Sequence, residues 1–362
     1  MKHVLLSSAA VAGLMMAAVA PASAQEPALQ LGVAGYTAGY AIYTGGDLPS
    51  GTRKFDFRKH SEVYLTGEVA LDNGITAGAH FEMLADRSDQ NYGNTRIQES
   101  YMYLSSSWGR VNFGEEDGVA YLLQVAAPSA DNNIDGLRPV IGTIGSALVG
   151  GYAQDDFGYN NKFTYITPVF SGFQAGVSYT PDANKGSAVA GVWAPVFKSG
   201  LENGWELAAR YEGSFDAVDL AIGAGYGHAS QVNSNNFNKS LNSWNIGADL
   251  DIGAFGVGAA YTHSNNGVRN KGSSRVWVAG VDYKTGPYKL GLSYQNAKNE
   301  INAPNPALVN RWKTSNQWTA GGVYEWGPGM TFRGAVQYVD YKARGFSSSD
   351  AVQVTLGTQV NF

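Results

Sequence analysis

Hydrophobic and polar residues alternate with a period of two along most of the chain, the spacing of a β-strand whose two faces meet different surroundings. In segment 173–180, Phe173, Val177 and Tyr179 share the apolar phase, while polar or small residues occupy the other phase. The same alternation recurs in segments 205–212, 244–252, 255–261, 288–294, 318–326 and 332–338. Most apolar series carry an aromatic ring at one or both ends and small aliphatic residues between. The pattern predicts an all-β protein.

Short and long breaks alternate between these segments along the chain. Seven short breaks fall at residues 72–74, 108–109, 171–172, 214–216, 253–254, 285–286 and 327–329. Eight long polar connections cover residues 44–53, 87–93, 117–159, 181–203, 229–241, 266–273, 299–311 and 344–350. This order predicts sixteen antiparallel strands. Residues 188–196 could form one more strand, but an odd count would invert every later turn.

An even number of strands, with short connections at one end and long ones at the other, is typical of a transmembrane β-barrel. Backbone polar groups in lipid must be paired, and a closed sheet has no unpaired edge. Aromatic rings at the ends of an outward face suit the two membrane interfaces. At sixteen strands the lumen is too wide for side chains to fill, so we expect it to hold water.

Composition separates this barrel from a soluble β-sandwich. Charged residues make up 15% of the 362 residues, whereas about a quarter is usual for a soluble domain. A sandwich would need more Lys and Glu on its outside than this chain supplies. The pI near 5.6 argues against a nucleic-acid partner. The absence of cysteine excludes a disulfide scaffold, a thiolate metal site and a Cys nucleophile.

The N-terminus has the layout of a secretory signal peptide. Lys2 precedes a small and apolar stretch, and the triplet Ala22-Ser23-Ala24 offers an A-x-A cleavage site. We expect residues 1–24 to be removed and residues 25–362 to form the barrel. Among Lys, Arg, Asp and Glu, only Lys2 is lost, so 24 Lys and Arg and 30 Asp and Glu remain, with a net charge of −6 when His is neutral.

Four stretches on the early strands resemble the trimeric general diffusion porins of the Gram-negative outer membrane. These stretches are Thr66-Gly67-Glu68, His80-Phe81-Glu82-Met83, Thr95-Arg96-Ile97 through Tyr101-Met102-Tyr103-Leu104, and Val111-Asn112-Phe113-Gly114. The resemblance covers the mature chain, and the aromatic C-terminal residue Phe362 is similar to a barrel sorting signal. It implies a homotrimer in outer-membrane lipid and lipopolysaccharide, with a long third loop folded into the lumen.

In that family, acidic residues of the third loop face a basic patch on the barrel wall and filter solutes between them. The loop here is residues 117–159, and its acidic candidates, with the residue before it, are Glu116, Asp117, Asp131 and Asp135. The inward phase of the strands gives Arg58, Arg96 and Lys162 as the basic wall candidates. It also places Glu62, His80 and Glu82 in the lumen. Glu62 stands where enterobacterial members tend to carry Arg, so the cationic wall is expected to be thin.

One segment of the loop resembles the start of a calcium-binding loop. Asp131, Asn133 and Asp135 place oxygen ligands at every second residue and are followed by Gly136. The bidentate Glu that such a loop requires is missing, because position 142 is Gly. An Asp- and Asn-rich turn explains the segment better, and calcium in the third loop is kept as the second hypothesis. No other cofactor is expected.

The sequence therefore predicts a channel without enzymatic activity that passes ions and small hydrophilic solutes with a weak preference for cations. Three alternatives stay open. A substrate-selective channel would show saturable flux along an aromatic track that includes Tyr64. A barrel lipase would need His263, which shares its phase with Tyr261. An adhesin would use its long loops and would show no conductance.

Overall fold

The computed structural model describes residues 29–362 except 48–50, 52, 87–95, 145–149, 185–199, 233–237, 270–271, 302–310 and 344–347. The predicted signal peptide lies outside these residues, as does the possible strand at 188–196. The strands are β1 (Gln30–Gly46), β2 (Phe55–Ala70), β3 (Thr76–Leu84), β4 (Arg96–Ser106), β5 (Gly109–Glu115), β6 (Asn161–Ile166), β7 (Phe173–Asp182), β8 (Leu201–Phe215), β9 (Val218–Gln231), β10 (Leu241–Ile252), β11 (Phe255–Ser264), β12 (Ser274–Thr285), β13 (Tyr288–Ile301), β14 (Arg311–Gly327), β15 (Met330–Ala343) and β16 (Ser349–Asn361).

The strands form one closed antiparallel barrel in which each strand pairs with its neighbours in sequence. The sheet closes where β1 pairs with β16, with Tyr36 opposite Asn361. Beyond β16, the Phe362 amide donates to the Gly35 carbonyl oxygen at 3.0 Å. The predicted sixteen-stranded antiparallel fold is confirmed, and each of the seven short breaks lies at a turn between paired strands.

The two faces of the barrel have the predicted polarity. On the outer face Phe173, Leu207 and Leu290 are 61%, 56% and 57% exposed, respectively. On the opposite face, Glu206 and Ser293 are buried. Aromatic rings on neighbouring strands pair across the outer surface, for example Tyr179 with Trp205 at 4.5 Å between centroids. An apolar outer face with rings at its margins is suited to a lipid bilayer.

The largest buried apolar cluster lies between the barrel wall and the connection from β5 to β6. We call this connection, residues 116–160, the third loop; it contains the one-turn helices α1 (Val119–Leu122) and α2 (Asn132–Asp135). Tyr121 and Tyr152 of the loop pack with Val278 and Val339 of the wall. Neither helix in the described part of the chain is long and apolar enough to cross a membrane.

Candidate functional site

The third loop lies inside the barrel because it contacts opposite sides of the closed sheet through the polar face. The Val119 amide donates to Ser178 Oγ on β7 at 3.0 Å, and the Ile144 amide donates to Gln353 Oε1 on β16 at 2.8 Å. These two strands are nearly diametrically opposed in the ring. Between them, Asn245 of β10 donates to the Ala120 carbonyl oxygen at 2.9 Å. A loop that reaches all three strands must cross the lumen and narrow it.

The loop backbone fits the wall closely where it enters the barrel. A Cβ at Gly118 would lie 1.6 Å from Glu206 Oε2, so only glycine leaves room for that buried carboxylate. One residue later, α1 begins. The entry of the loop therefore depends on a small residue placed against an inward acidic side chain of β8.

Arg138 holds the two ends of the third loop together. Its guanidinium donates to both carboxylate oxygens of Asp117, at 2.9 and 2.8 Å, and lies 3.2 Å from Asp155. It also donates to the Tyr159 hydroxyl at 3.0 Å and stacks on Tyr121, with Cζ 3.8 Å from the ring centroid. A planar guanidinium suits this combination of a bidentate ion pair and ring stacking. We call Arg138 and its partners the loop latch.

A second anchor holds the middle of the loop against β1, β13 and β15. Asp131 caps α2 by accepting from the Asn133 amide at 3.1 Å, and it receives hydrogen bonds from Tyr40 at 2.6 Å and Arg333 at 2.7 Å. Asp135 accepts from Ser293 Oγ at 2.5 Å and from two loop amides. Burial raises the pKa of Asp135 to about 6, although these hydrogen bonds oppose the shift.

The predicted acidic loop residues do not face the bore. Glu116, Asp117, Asp131 and Asp135 are 2%, 3%, 0% and 3% exposed. Glu116 accepts from Asn112 at 2.7 Å, and burial raises its pKa to about 7. The expectation that these four carboxylates line the water path is corrected: Glu116, Asp131 and Asp135 attach the loop to the wall, and Asp117 bonds to Arg138 within the loop. The physical reason is that the loop needs polar contacts with a polar wall, and its carboxylates make them.

The hydrogen bonds of Asp131, Asn133 and Asp135 disfavour calcium binding at these three side chains. Both oxygens of Asp131 accept hydrogen bonds, one of them from the Arg333 guanidinium, which a cation would have to displace. The Asn133 side-chain nitrogen donates to Tyr40 and Gln359. The three side chains thus have protein partners, as an Asp- and Asn-rich turn does.

The predicted basic wall is also arranged differently. Lys162 points inward but is 2% exposed, and its ammonium donates to the carbonyl oxygens of Glu116, Gly158 and Asn160 beneath the third loop. Its assignment to the water-facing wall is therefore corrected. Arg58 is close to the long-loop end of β2 and forms an ion pair with Asp56 at 2.9 Å. Arg96 begins β4 opposite Leu84, and its side chain lies outside the described residues.

Acidic and aromatic side chains dominate the wall of β2, β3 and β4. The structure places Glu62, His80 and Glu82 on the inner face. Glu62 accepts from Tyr64 and lies 2.6 Å from His60 Nε2, and Glu82 is within electrostatic range of Arg138 and Asp117. The wall therefore carries glutamates, while the loop latch presents an arginine that is 26% exposed. On these three strands the wall thus carries more glutamates than the resemblance implies, and Arg110 of β5 lies beside them, over the ring of Tyr103.

Three side chains of the site are not predicted from the sequence, each for an identifiable reason. Glu99 joins the inner wall of β4, but Gln98 forms a bulge that breaks the alternation just before it. Arg138 is visible in the sequence as the single base of an acidic loop, yet no periodicity gives its direction. Arg333 shares the inward phase of β15 with Ala335, and the sequence indicates this phase because Arg333 directly follows the outward-facing Phe332.

A closed barrel with an exposed apolar face, a polar interior and a loop across its lumen is the architecture of an outer-membrane channel. A model of the family described as Gram-negative porin matches residues 8–344. The chain belongs to the Gram-negative porin family. This porin is an integral β-barrel of the outer membrane and forms a channel.

Solved porin structures share the fold at low sequence identity. The anion-selective porin from Comamonas acidovorans is 16% identical, with a TM-score of 0.63, and the match covers 92% of this chain and all of that one. OmpT of Vibrio cholerae in a trimer form is 14% identical, with a TM-score of 0.63 and coverage of 92% and 100%. Salmonella typhi OmpF is 16% identical, with a TM-score of 0.63 and coverage of 92% and 97%. No curated protein matches the sequence significantly. At these identities the likeness establishes the fold alone.

Proposed function

We propose that this porin is a general diffusion channel for ions and small hydrophilic solutes, weakly selective for cations. The observation that carries the proposal is the set of inner-face glutamates on β2 and β3, of which Glu82 lies within electrostatic range of the loop latch. A cavity with low-dielectric walls focuses the field of fixed charges, so a small excess of one sign shifts local ion concentrations. Here the excess is acidic, because Arg138 is already compensated by Asp117 and Asp155.

Selectivity has to come from these side chains, since the shared fold occurs in a porin described as anion-selective. Glu82 is the most informative wall residue, because no described residue forms a hydrogen bond or ion pair with it. Its carboxylate is therefore a lumen group that no described partner holds in place. Glu62 contributes as well, but its carboxylate also accepts from Tyr64 and His60.

The cation preference can be measured as the reversal potential of the purified porin in a planar bilayer under a salt gradient. We expect a value on the cation side, and we expect Glu82→Gln to move it toward zero. Asp72→Asn, in the turn between β2 and β3, is the control that leaves it unchanged. A wild-type reversal potential on the anion side would refute the cation preference, whereas the absence of any conductance would refute the channel itself.

A substrate-selective channel is the second candidate, because a series of rings lines the same wall. His80 lies between Tyr64 and Tyr101, at 6.1 and 5.2 Å between centroids, and Tyr101 is followed by Tyr103. However, Tyr64 and Tyr103 are only 8% and 4% exposed, so these rings offer little face for a solute to stack on. This burial favours simple diffusion, for which flux rises linearly with solute concentration.

We further propose that a signal peptide cleaved after Ala24 directs the porin to the outer membrane, and that its long loops contact lipopolysaccharide. We also propose that the porin is a homotrimer. The trimer proposal is supported by the trimer form of the structurally similar Vibrio cholerae OmpT. Three equal conductance substates in single-channel records would accompany a trimer. An absence of them, together with a monomer mass in mild detergent, would contradict it.

A further inference from the structure

We propose that His80, Glu82 and Glu99 form a binding site for a divalent transition-metal ion on the lumen wall, opposite the loop latch. One potential ligand atom from each residue lies within 4.8 Å of the other two. Among the described residues, this is the only His, Cys, Asp and Glu group that meets this distance. It lies on β3 and β4, which are paired directly, with Glu82 opposite Glu99.

The imidazole of His80 is already oriented for this role. The residue is 4% exposed, and its Nδ1 lies 3.1 Å from the Thr66 hydroxyl. Its Nε2 has no hydrogen-bond partner among the described residues and points at Glu99, with Oε2 3.9 Å away. Metal-ligating histidines use one ring nitrogen for the ion and hold the ring with a hydrogen bond to the other. In His80, Thr66 holds the ring at Nδ1, and Nε2 lies beside the Glu99 carboxylate, where it is available to an ion.

The carboxylates supply the complementary half of the site. Glu82 has no hydrogen bond or ion pair to any described residue, and Glu99 accepts from the Asp117 amide at 3.3 Å and lies 3.9 Å from His80 Nε2. Glu99 also interacts electrostatically with the carboxylates of Asp117, Glu82 and Glu116. The nearby guanidinium of Arg138 is engaged by Asp117 and Asp155. Arg110 of β5 also acts on His80, but no described Lys or Arg forms an ion pair with Glu82 or Glu99, and a divalent cation would compensate these two carboxylates.

The ligand set selects the kind of ion. One imidazole nitrogen with two carboxylates suits zinc and similar first-row ions, whereas calcium prefers oxygen ligands alone. In a tetrahedral zinc site with bonds of about 2.1 Å, ligand atoms lie roughly 3.4 Å apart. Small rotations of the two glutamates bring them to that separation. Three protein ligands leave a fourth position open to lumen water.

Occupancy would change the permeation that we propose for this channel. An ion with two positive charges at Glu82 would offset the acidic wall that faces Arg138. We expect zinc to lower the cation conductance and to move the reversal potential toward the anion side. This consequence rests on the proposed function, whereas metal binding itself does not.

The test is isothermal titration of the purified porin in detergent with zinc chloride, with calcium chloride as the competing probe. We expect one zinc per chain, an affinity at least tenfold lower in His80→Gln and Glu82→Gln, and a loss of about 10–100-fold in Thr66→Val. His228→Gln is the matched control, because His228 is on the outer face of β9 and away from the lumen. This variant should bind zinc like the wild type.

Metal-free conductance of each variant shows that the barrel is folded, and Glu82→Gln keeps the test decisive if the buried His80 does not tolerate replacement. Three results would overturn the proposal: no zinc binding by the wild type, equal zinc affinity in Glu82→Gln and wild type, or equally strong competition by calcium. Conductance without metal then reports separately on the proposed channel function.

Discussion

Replacing Arg138 by methionine is expected to release the third loop, destabilising the folded porin by about 3–5 kcal/mol and raising its single-channel conductance. The magnitude is that of removing one partner from a buried ion pair, because the other charge is left uncompensated in a low-dielectric site. Asp117 is 3% exposed and would lose both hydrogen bonds from the guanidinium. Tyr121 would lose its stacking partner as well. Heat denaturation and single-channel recording measure the two effects.

Two further substitutions show whether the effect belongs to the loop latch. Arg138→Lys keeps the positive charge but cannot form the bidentate pair, so its stability should lie between those of wild type and methionine variant. Arg53→Met removes an arginine whose side chain is 79% exposed and whose Asp56 contact is 3.7 Å. Exposed pairs contribute little, so this control should match the wild type. If Arg138→Met also matched it, the latch would not hold the loop.

Replacing Leu207 by arginine is expected to cost about 2–4 kcal/mol of folding stability in bilayers, the penalty for a lipid-facing cation near the bilayer midplane. Leu207 lies on the outer face of β8 between Trp205 and Tyr211, and it is 56% exposed. Its position between two interfacial rings places it in hydrocarbon. Leu207→Ala removes the same apolar side chain without adding charge. Folding into vesicles in a urea titration measures the difference between the two variants, and equal stabilities would mean that this face meets water.

The strands and their two faces could be predicted from the sequence because both depend on local rules. Alternation reports the environment of each face directly, and tight turns need residues such as Gly74, which has a φ of 78°. Phe173, Leu207 and Leu290 consequently face outward as expected. Of the three register shifts among the described strand pairs, the one at Gln98 inserts an extra residue and changes the phase at the start of β4.

The direction of the third loop's side chains could not be predicted in the same way, because an irregular loop has no period. Asp117 and Asp131 are acidic loop residues in sequence, but each finds an arginine, Arg138 and Arg333 respectively, that is 21 or 202 positions away. Lys162 has the predicted inward phase, but the loop covers it. Phase decides which face a residue occupies, whereas tertiary contacts decide whether that face meets water.

An engineered disulfide can show whether the third loop lies inside the barrel, against β9 and its neighbours. A Cβ added at Gly225 would lie 3.3 Å from the Cβ of Ala120 in α1, close to the separation of about 3.5–4.5 Å found in disulfides. The chain has no cysteine of its own, so the pair Ala120→Cys and Gly225→Cys can be examined alone. The mismatched pair Ala130→Cys and Gly225→Cys is the control, because Ala130 contacts Gly291 on β13 instead.

Mass spectrometry of the oxidised, membrane-inserted double variant measures the fraction of cross-linked chains. We expect nearly complete cross-linking of Ala120→Cys with Gly225→Cys and none in the mismatched pair. If the thiols at positions 120 and 225 both stayed free and reacted with a water-soluble reagent in a conducting barrel, the third loop would not lie against β9.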